Sequence, residues 1–251
     1  MKNFFPTAGR AIETLRSAGE AAISLLYPPH CAMCEADTPS GSHLCEACAN
    51  TVRPISAPFC HQCSQPYDGA IEGEFVCANC EGRDFAFDCA VAAFRAEGVI
   101  REFVHSFKYE HRFHLRHQLA QWMAAGLADD RIRDRPPDAL VPVPLHPRRQ
   151  RHRTFNQAIV LAEIVARRAA KPVLHALKRV RDTPTQTRLD REKRMENLRG
   201  AFSAPKPAAV IGRHLLLIDD IFTTGSTVHE CARTLCAAGA ASVRVLTVAR
   251  A

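Results

Sequence analysis

Two adjacent carboxylates and a run of small hydroxylated residues form the stretch of this chain with the clearest chemistry. Asp219 and Asp220 are followed closely by Thr223, Thr224, Gly225, Ser226 and Thr227. Hydroxyls, a glycine turn and the N–H groups at the start of a helix together form a binding site for a phosphate. Two carboxylates beside a phosphate make sense when the ligand also carries hydroxyl groups that donate hydrogen bonds to them. The stretch therefore predicts a site for a phosphorylated sugar.

A strand, a tight turn and a helix must position these side chains. Residues 215–218 are an unbroken apolar run, typical of a strand buried on both faces of a parallel sheet. After the turn, Val228, Cys231 and Leu235 recur at helical spacing. Ligands of open α/β sheets bind beyond the C-terminal ends of the strands, where the acids stand. The alternative is a buried strand with two solvated acids, and a nucleoside-triphosphate P-loop is excluded because its lysine and glycine spacing is absent.

The N-terminal third is organised by cysteine pairs. Eight of the eleven cysteines form four C-x-x-C pairs: Cys31 and Cys34, Cys45 and Cys48, Cys60 and Cys63, and Cys77 and Cys80. In a cytosolic chain this spacing predicts zinc and not disulfides. Tetrahedral Zn²⁺ takes four thiolates, so the pairs predict two structural sites without an open position for chemistry. Sequential pairing is the simplest arrangement, and interleaved pairing stays open.

Charge separates the two parts of the chain. The formal charge is −6 over residues 1–90 and +13 over residues 91–251, which together give the +7 of the whole chain. Bound zinc thiolates make the first part still more negative, so we expect it to contact protein and not nucleic acid. Nothing approaches the run of about 20 apolar residues that crosses a membrane, and no signal peptide is visible. We therefore expect a cytoplasmic protein without membrane insertion.

The second part predicts further strands, helices and basic segments. Residues 89–94 and 139–143 are expected strands, and the latter leads into a loop with Arg148, Arg149 and Arg151 that suits a second anionic group or a nucleic acid. Residues 107–113 interleave aromatics with cations, which could stack on bases, although ordinary core aromatics are the favoured interpretation. Residues 178–200 are rich in Arg and Lys and are expected to be mobile without ligand. The alternative for the arginine loop is a solvated charged surface, whereas residues 178–200 could close over a pyrophosphate or lie along a nucleic-acid strand.

The motif from Ile218 to Thr227 resembles the phosphoribosyl-pyrophosphate (PRPP) loop of type I phosphoribosyltransferases. The resemblance implies that Asp219 and Asp220 are the catalytic acids that bind the ribose 2- and 3-hydroxyls, while residues 223–227 hold the 5-phosphate. It further implies that PRPP binds with Mg²⁺ and that residues 145–149 hold the pyrophosphate. The expected fold is an α/β, type I phosphoribosyltransferase-like parallel sheet flanked by helices, preceded by a small four-cysteine zinc-ribbon module.

Over nearly its whole length the chain is similar to the ComF family of competence and DNA-utilisation proteins. The shared features include Tyr27-Pro28-Pro29, Lys108-Tyr109, Phe155-Asn156-Gln157, and the pattern Gln186, Leu189, Arg194, Asn197 and Gly200-Ala201-Phe202. The resemblance implies a role in uptake and use of external DNA, with single-stranded DNA and a helicase as partners. Expected domains are a helix over 1–27, a double zinc ribbon over 28–88 and the phosphoribosyltransferase-like domain over 89–251. The alternatives are a metabolic phosphoribosyltransferase that acts on a free base and, less favoured, a zinc scaffold with an inactive transferase domain.

Overall fold

The computed structural model of the chain describes residues 30–39, 42–71, 73–183 and 191–251, without the side chains of residue 152 and residues 191–194. The expected helix over 1–27, Tyr27-Pro28-Pro29, Gln186 and Leu189 lie outside the described residues, and so does the side chain of Arg194. The chain divides after residue 51 into two compact units. Within the described ranges, no helix combines the length and the apolar character that crossing a bilayer requires.

The smaller unit is formed by short turns around its cysteines. Its helix α1 (Glu46–Ala49) follows Cys45, whose sulfur accepts a hydrogen bond from the backbone N–H of Cys48. The backbone N–H of Cys31 donates to the carbonyl of Ala36 at 2.7 Å and closes the first knuckle. Local hydrogen bonds of this kind bring distant cysteines together without a large apolar core.

The larger unit is built on a parallel sheet. The described strands are, in chain order, β1 (Ala90–Arg95), β2 (Ala139–Pro142), β3 (Lys178–Arg179), β4 (Phe202–Ser203), β5 (His214–Ile218), β6 (Ile221–Phe222) and β7 (Ser242–Arg250). Strands β1, β7, β5 and β2 lie side by side in that order, all parallel, and β6 pairs with the end of β7. Strands β3 and β4 form a separate antiparallel pair. The parallel sheet and the strands expected at 89–94, 139–143 and 215–218 are confirmed.

Helices flank the sheet and connect its strands. The described helices of this unit are α2 (Gly98–Tyr109), α3 (Arg116–Ala125), α4 (Asp130–Arg133), α5 (Pro147–Arg153), α6 (Gln157–Ala169), α7 (Arg191–Leu198) and α8 (Ser226–Ala237). Helix α2 buries Val99, Ile100, Phe103, Val104 and Phe107, the face that the spacing of apolar residues predicts. Its last residues, Lys108 and Tyr109, thereby come to the C-terminal edge of the sheet.

The basic segment after β2 differs from the expected loop. Residues 147–153 form helix α5, in which Pro147 occupies the first turn and His146 accepts a hydrogen bond from the backbone N–H of Arg148. Proline at the first helical position and a side-chain acceptor just before it are helix-start signals. The arginines of this segment are therefore displayed on a helix and not on an extended loop.

Strand β7 is central in the sheet and is buried along its whole length. It includes Arg244 and Arg250, whose side chains are almost fully enclosed. Arg244 donates to the carbonyls of Arg131 and Ile132, and Arg250 donates to the carbonyl of Phe222. Backbone carbonyls thus satisfy part of the hydrogen-bonding capacity of these two buried cations.

Candidate functional site

The two acids occupy a break between strands β5 and β6. The backbone N–H of Asp219 still donates to Leu246 at 3.2 Å, and the carbonyl of Asp220 accepts from Val248 at 3.0 Å. Strand β7 continues without interruption and pairs with both β5 and β6. This pairing fixes the position of the break between them. This position lies beyond the C-terminal end of β5, where ligands of parallel sheets bind.

The two carboxylates have different surroundings. Asp220 is 7% exposed, and its Oδ1 accepts from the Ile221 backbone N–H at 2.7 Å and from Lys108 Nζ at 2.7 Å. Asp219 Oδ1 accepts from the Asp220 backbone N–H at 2.9 Å. Burial, together with the neighbouring charge of Asp220, raises the pKa of Asp219 to about 7. At neutral pH the pair therefore carries less than two full negative charges.

The hydroxylated run forms a tight turn at the N-terminus of α8. Gly225 has φ of 78°, and a Cβ there would lie 2.7 Å from Phe222 Cζ, so this position requires glycine. The hydroxyls of Thr224 and Ser226 are 2.9 Å apart. A small cavity of about 30 Å³ lies inside the turn and is lined by Asp219, Ile221, Phe222, Thr223, Gly225, Ser226, Thr227 and Val228. The twelve-residue helix directs the positive end of its dipole toward this cavity.

A larger cleft of about 240 Å³ adjoins the acids. Its lining includes four cationic side chains, which are Lys108, Arg149, Arg153 and Arg179. Lys108 lies in α2, Arg149 and Arg153 lie near the two ends of α5, and Arg179 lies in β3. The cleft therefore combines a carboxylate pair with a concentration of positive charge, which suits a ligand with hydroxyls and more than one anionic group.

Two buried donors in this cleft have no hydrogen-bond partner among the described residues. They are Gln157 Nε2 and Arg179 Nε, and these residues are only 2% and 8% exposed. The Arg179 side chain donates from Nη2 to the Thr183 hydroxyl and lies over the Phe202 ring. Burial and the nearby charge of Arg149 lower its pKa from the ordinary value. Buried donors are nearly always paired, so these two are available for acceptor atoms that enter the cleft.

The three arginines selected from the sequence take different positions. Arg149 lines the cleft and donates to the Thr183 carbonyl at 2.6 Å. Arg148 is exposed and pairs with Asp182 at 3.2 Å, and Arg151 is exposed and absent from the lining. Their roles stay predictions, but only Arg149 shares the cleft with the acids.

Sequence reasoning did not assign Lys108, Gln157 or Arg179 to the candidate site, and it named Arg153 only as part of the basic loop. Lys108 and Gln157 were visible as parts of the family pattern, and Arg153 belongs to the basic segment. Arg179 gave no signal of its own, because one arginine in a basic stretch resembles its neighbours. Chain folding, and not spacing, brings these side chains to Asp219 and Asp220.

The eight paired cysteines form two clusters. Cys31, Cys34, Cys45 and Cys48 make one and Cys60, Cys63, Cys77 and Cys80 the other, with the sulfurs of each within 4.8 Å of one another. Individual separations are 3.6 Å for Cys34 and Cys45 and 3.7 Å for Cys63 and Cys77. A tetrahedron with Zn–S bonds of about 2.3 Å requires sulfurs roughly 3.8 Å apart. Both donor sets thus fit Zn²⁺, and the sequential pairing is confirmed.

The second cluster is packed against the sheet of the larger unit. Its sulfurs are buried in the same core as Phe87, Ala90 and Val245. The Ser64 hydroxyl donates to the Ala90 carbonyl at 2.9 Å and accepts from the Ala92 N–H at 3.3 Å. These bonds attach the cluster directly to β1.

The chain beside this cluster follows the outer edge of β1. The N–H groups of Ile55 and Ala90 donate to the carbonyls of Ala93 and Gln62, and Arg95 donates to Arg53. Arg131 adds bonds from its guanidinium to the His61 carbonyl and the Ser64 hydroxyl. Segment 53–64 therefore covers a strand that would otherwise end the sheet.

Two family models match this chain and agree with this architecture. The family model described as "Double zinc ribbon domain" matches residues 22–81, and that described as "Phosphoribosyl transferase domain" matches residues 156–251. A solved glutamine PRPP amidotransferase from B. subtilis is 22% identical with a TM-score of 0.34, over 52% of this chain and 25% of its own. Sheet topology, acid pair and cysteine clusters define a phosphoribosyltransferase-type domain combined with zinc ribbons.

Two curated relatives extend over most of the chain. "Competence protein F" of Haemophilus influenzae is 30% identical over 212 residues, 83% of this chain and 90% of its own. "DNA utilization protein YhgH" of Escherichia coli is 30% identical over 235 residues, 90% of this chain and 99% of its own. The chain belongs to the ComF family of competence and DNA-utilisation proteins.

Proposed function

We propose that this protein binds PRPP with Mg²⁺ in the cleft at Asp219 and Asp220. The observation that carries the proposal is the combination of buried, unpartnered donors on Gln157 and Arg179 with the acid pair. A ligand that satisfies both needs hydroxyls for the carboxylates and anionic oxygens for the cations. PRPP has a diol, a 5-phosphate and a pyrophosphate, and the turn at Gly225 supplies the third subsite.

The donor set also fits a hard divalent cation. Mg²⁺ prefers oxygen ligands and commonly binds through one or two carboxylates together with substrate phosphates. Asp219 and Asp220 are the carboxylates of the cleft that would hold it. The ion would neutralise charge on the pyrophosphate, and the arginines of the cleft stabilise the same anionic group.

Titration calorimetry with PRPP and Mg²⁺ tests this proposal. Asp219→Ala/Asp220→Ala should weaken PRPP binding by about a hundredfold, because two charge-assisted hydrogen bonds are lost. Glu163→Ala, on the exposed side of α6, serves as the control and should bind like the wild type. Equal affinities in wild type and double variant would reject the PRPP site.

A surface beside the cleft suits single-stranded DNA. Phe107 of the interleaved segment is buried in the core, but Tyr109 and Phe113 are 54% and 41% exposed. Arg153 lies over the Tyr109 ring at 4.8 Å and Arg116 over the Phe113 ring at 4.2 Å. Exposed rings beside guanidinium groups stack on bases while the cations contact phosphates. We therefore propose that single-stranded DNA binds to this cation–aromatic surface, which is defined by Tyr109, Phe113, Arg116 and Arg153.

DNA binding is measured with oligo-dT at several salt concentrations. Each phosphate contact contributes a slope of about −0.7 in log K against log salt for single strands. Arg116→Ala should flatten this slope by about that amount, whereas Tyr109→Ala/Phe113→Ala should lower affinity with little change in slope. Arg167→Ala, on the far end of α6, is the matched control. A slope near zero in the wild type would reject this part of the proposal.

The names of the relatives concern competence and DNA utilisation. We accordingly propose a role in uptake and use of external DNA, in the cytoplasm and beside a helicase, with the zinc ribbons as protein-contact elements. Complementation of a deletion strain by the Asp219→Ala/Asp220→Ala variant tests this role. Restored transformation or growth on DNA would show that the cleft is dispensable for it.

The alternative is a metabolic phosphoribosyltransferase. It is distinguished by release of pyrophosphate from PRPP in the presence of a panel of free bases. Release with one base would assign catalysis to the cleft, with Asp219 and Asp220 holding the ribose during departure of pyrophosphate. Binding of PRPP without release favours a ligand-controlled DNA-binding protein.

A further inference from the structure

A lysine from outside the sugar-phosphate motif forms an ion pair with one of the two acids. Lys108 Nζ is 2.7 Å from Asp220 Oδ1, and the two side chains are 17% and 10% exposed. Lys108 belongs to the last turn of α2, far from Asp220 in sequence but anchored nearby by the buried side chain of Phe107. This ion pair is largely withdrawn from water and is therefore screened much less than a surface pair.

The contacts of Asp220 leave one of its oxygens for a ligand. Oδ1 accepts both from Lys108 and from the Ile221 backbone N–H. Asp219 is held in the same manner, since its Oδ1 accepts from the Asp220 N–H. Among the described residues, no partner occupies the Oδ2 atom of either acid. Each carboxylate is thus oriented by one oxygen and retains the other as an acceptor.

The charge of Lys108 also affects which ligand the cleft can take. Two unpaired carboxylates would repel the phosphate held by the neighbouring turn. Many sites relieve such repulsion with a bound divalent cation. Here a side-chain ammonium already lies against one acid and lines the cleft. The pair together with Lys108 then carries no more negative charge than a single carboxylate.

We propose that Lys108 is the positioning residue and fixed counter-ion of the sugar subsite, so that the phosphoribosyl part of a ligand binds without a divalent cation. The proposal rests on the proposed function and deepens it by dividing the cleft into two parts. The diol and 5-phosphate are recognised by the chain alone. Divalent metal contributes only where a pyrophosphate is present.

Ribose 5-phosphate is the probe that tests this division. The wild type should bind it with the same Kd, within about twofold, in EDTA and in excess Mg²⁺. Lys108→Met should weaken binding in EDTA by about tenfold or more, because Asp220 loses its orienting partner and the subsite gains negative charge. Excess Mg²⁺ should restore part of that loss. Lys108→Arg, which keeps the charge, should stay within about threefold of the wild type.

The double variant Lys108→Met/Asp220→Asn is the control for a folding defect caused by Lys108→Met. Removing one member of a buried ion pair destabilises a protein more than removing both. The double variant should melt closer to the wild type than Lys108→Met does, and its binding of ribose 5-phosphate should no longer respond to Mg²⁺. A double variant that recovers the melting temperature and also binds ribose 5-phosphate in EDTA with the wild-type Kd would show that the subsite does not need this ion pair, and would overturn the proposal.

Failure of the inference is distinct from failure of the PRPP site. If the wild type binds neither PRPP nor ribose 5-phosphate, the proposed function and the inference fall together. If the wild type binds both and Lys108→Met binds ribose 5-phosphate in EDTA as tightly, only the inference is overturned. A wild type that needs Mg²⁺ for ribose 5-phosphate also overturns the inference while leaving the PRPP site intact.

Discussion

The ring of Phe222 lies directly beneath Gly225, and a Cβ at Gly225 would come within 2.7 Å of Phe222 Cζ. Phe222 is itself held by Phe87, whose ring meets it edge-on at 6.0 Å. The turn of residues 223–227 therefore packs on an aromatic pair that is continuous with the core around the second cysteine cluster.

Gly225→Ala should consequently distort the turn and weaken phosphate binding. The left-handed backbone alone costs about 1–2 kcal/mol for a residue with Cβ, and the contact with Phe222 adds to it. Gly212→Ala is a matched control, because Gly212 has φ of 69° but no atom within 4 Å of its Cβ position. Chemical denaturation should show a larger loss for Gly225→Ala, and calorimetry a weaker affinity for ribose 5-phosphate. Equal losses of stability in both variants would contradict the clash expected between a Cβ at Gly225 and the Phe222 ring.

The raised pKa of Asp219, about 7, predicts an unusual dependence of stability on pH. An ordinary carboxyl titrates near 4, so between about pH 4 and pH 7 the folded state binds more protons than the unfolded state, and stability falls as pH rises. Burial and Asp220 raise this pKa, whereas Lys108 and Arg153 oppose the rise; Arg179 and Cys231 also face the group. Denaturation across pH 5–8 should show this decline in the wild type and a flatter profile in Asp219→Asn.

The affinity for PRPP should instead rise as the pH increases through the same range. In the proposed complex the ribose hydroxyls donate to the ionised carboxylate, so PRPP affinity should increase from pH 6 to pH 8 after correction for ligand ionisation. Asp130→Asn, an exposed acid on α4, provides the control for both measurements. Parallel stability profiles for wild type and Asp219→Asn would show that another group titrates.

Arg179 and Arg149 should contribute more to PRPP affinity than Arg151. Both side chains line the cleft and contact Thr183, while Arg151 is exposed outside the lining. Arg179→Gln and Arg149→Gln should each weaken PRPP binding by about tenfold, and their effect on ribose 5-phosphate should be smaller. Arg151→Gln is the control at the same helix. A larger effect of Arg151→Gln than of Arg179→Gln would restore the pyrophosphate role to the exposed face of α5.

Loss of the second zinc site should destabilise the larger unit. Its four cysteines are buried within the core that contains Ala90 and Val245, and a structural zinc contributes on the order of 10 kcal/mol to a small metal-dependent fold. Trp122, the single tryptophan, contacts Phe94 and Phe103 and reports on this unit. Cys77→Ser should lower the melting temperature seen by Trp122 fluorescence, whereas Cys236→Ser, at an exposed cysteine, should not. An unchanged transition in Cys77→Ser would contradict this role.

Local patterns in the sequence predicted much of the fold and part of the candidate site. An apolar run indicated β5, and a dense motif indicated the acid pair and the turn at Gly225, because all of these residues are neighbours in the chain. Regular C-x-x-C spacing likewise predicted two zinc sites. The helix at Pro147 differs from the loop that the sequence leads us to expect, because the charges of the following arginines indicate a binding role and not a conformation; the helix-start signals are His146 and Pro147.

The remainder of the site depends on tertiary structure. Lys108 reaches Asp220 from the end of α2, and Arg179 reaches the same cleft from β3. Neither contact has a sequence spacing that could indicate it. The two buried arginines of β7 were equally hidden, since a charged residue in a strand ordinarily predicts a solvent-facing position.

Segment 53–64 runs along the outer margin of β1, which is the terminal strand of the sheet. An exposed edge strand promotes association, because its free N–H and C=O groups can pair with a strand of another molecule. Because the knuckle at Cys60 and Cys63 lies in this segment, we expect a bound zinc ion to hold the segment over β1 and to reduce self-association. Chelated protein should form oligomers through this margin before its central strands unfold.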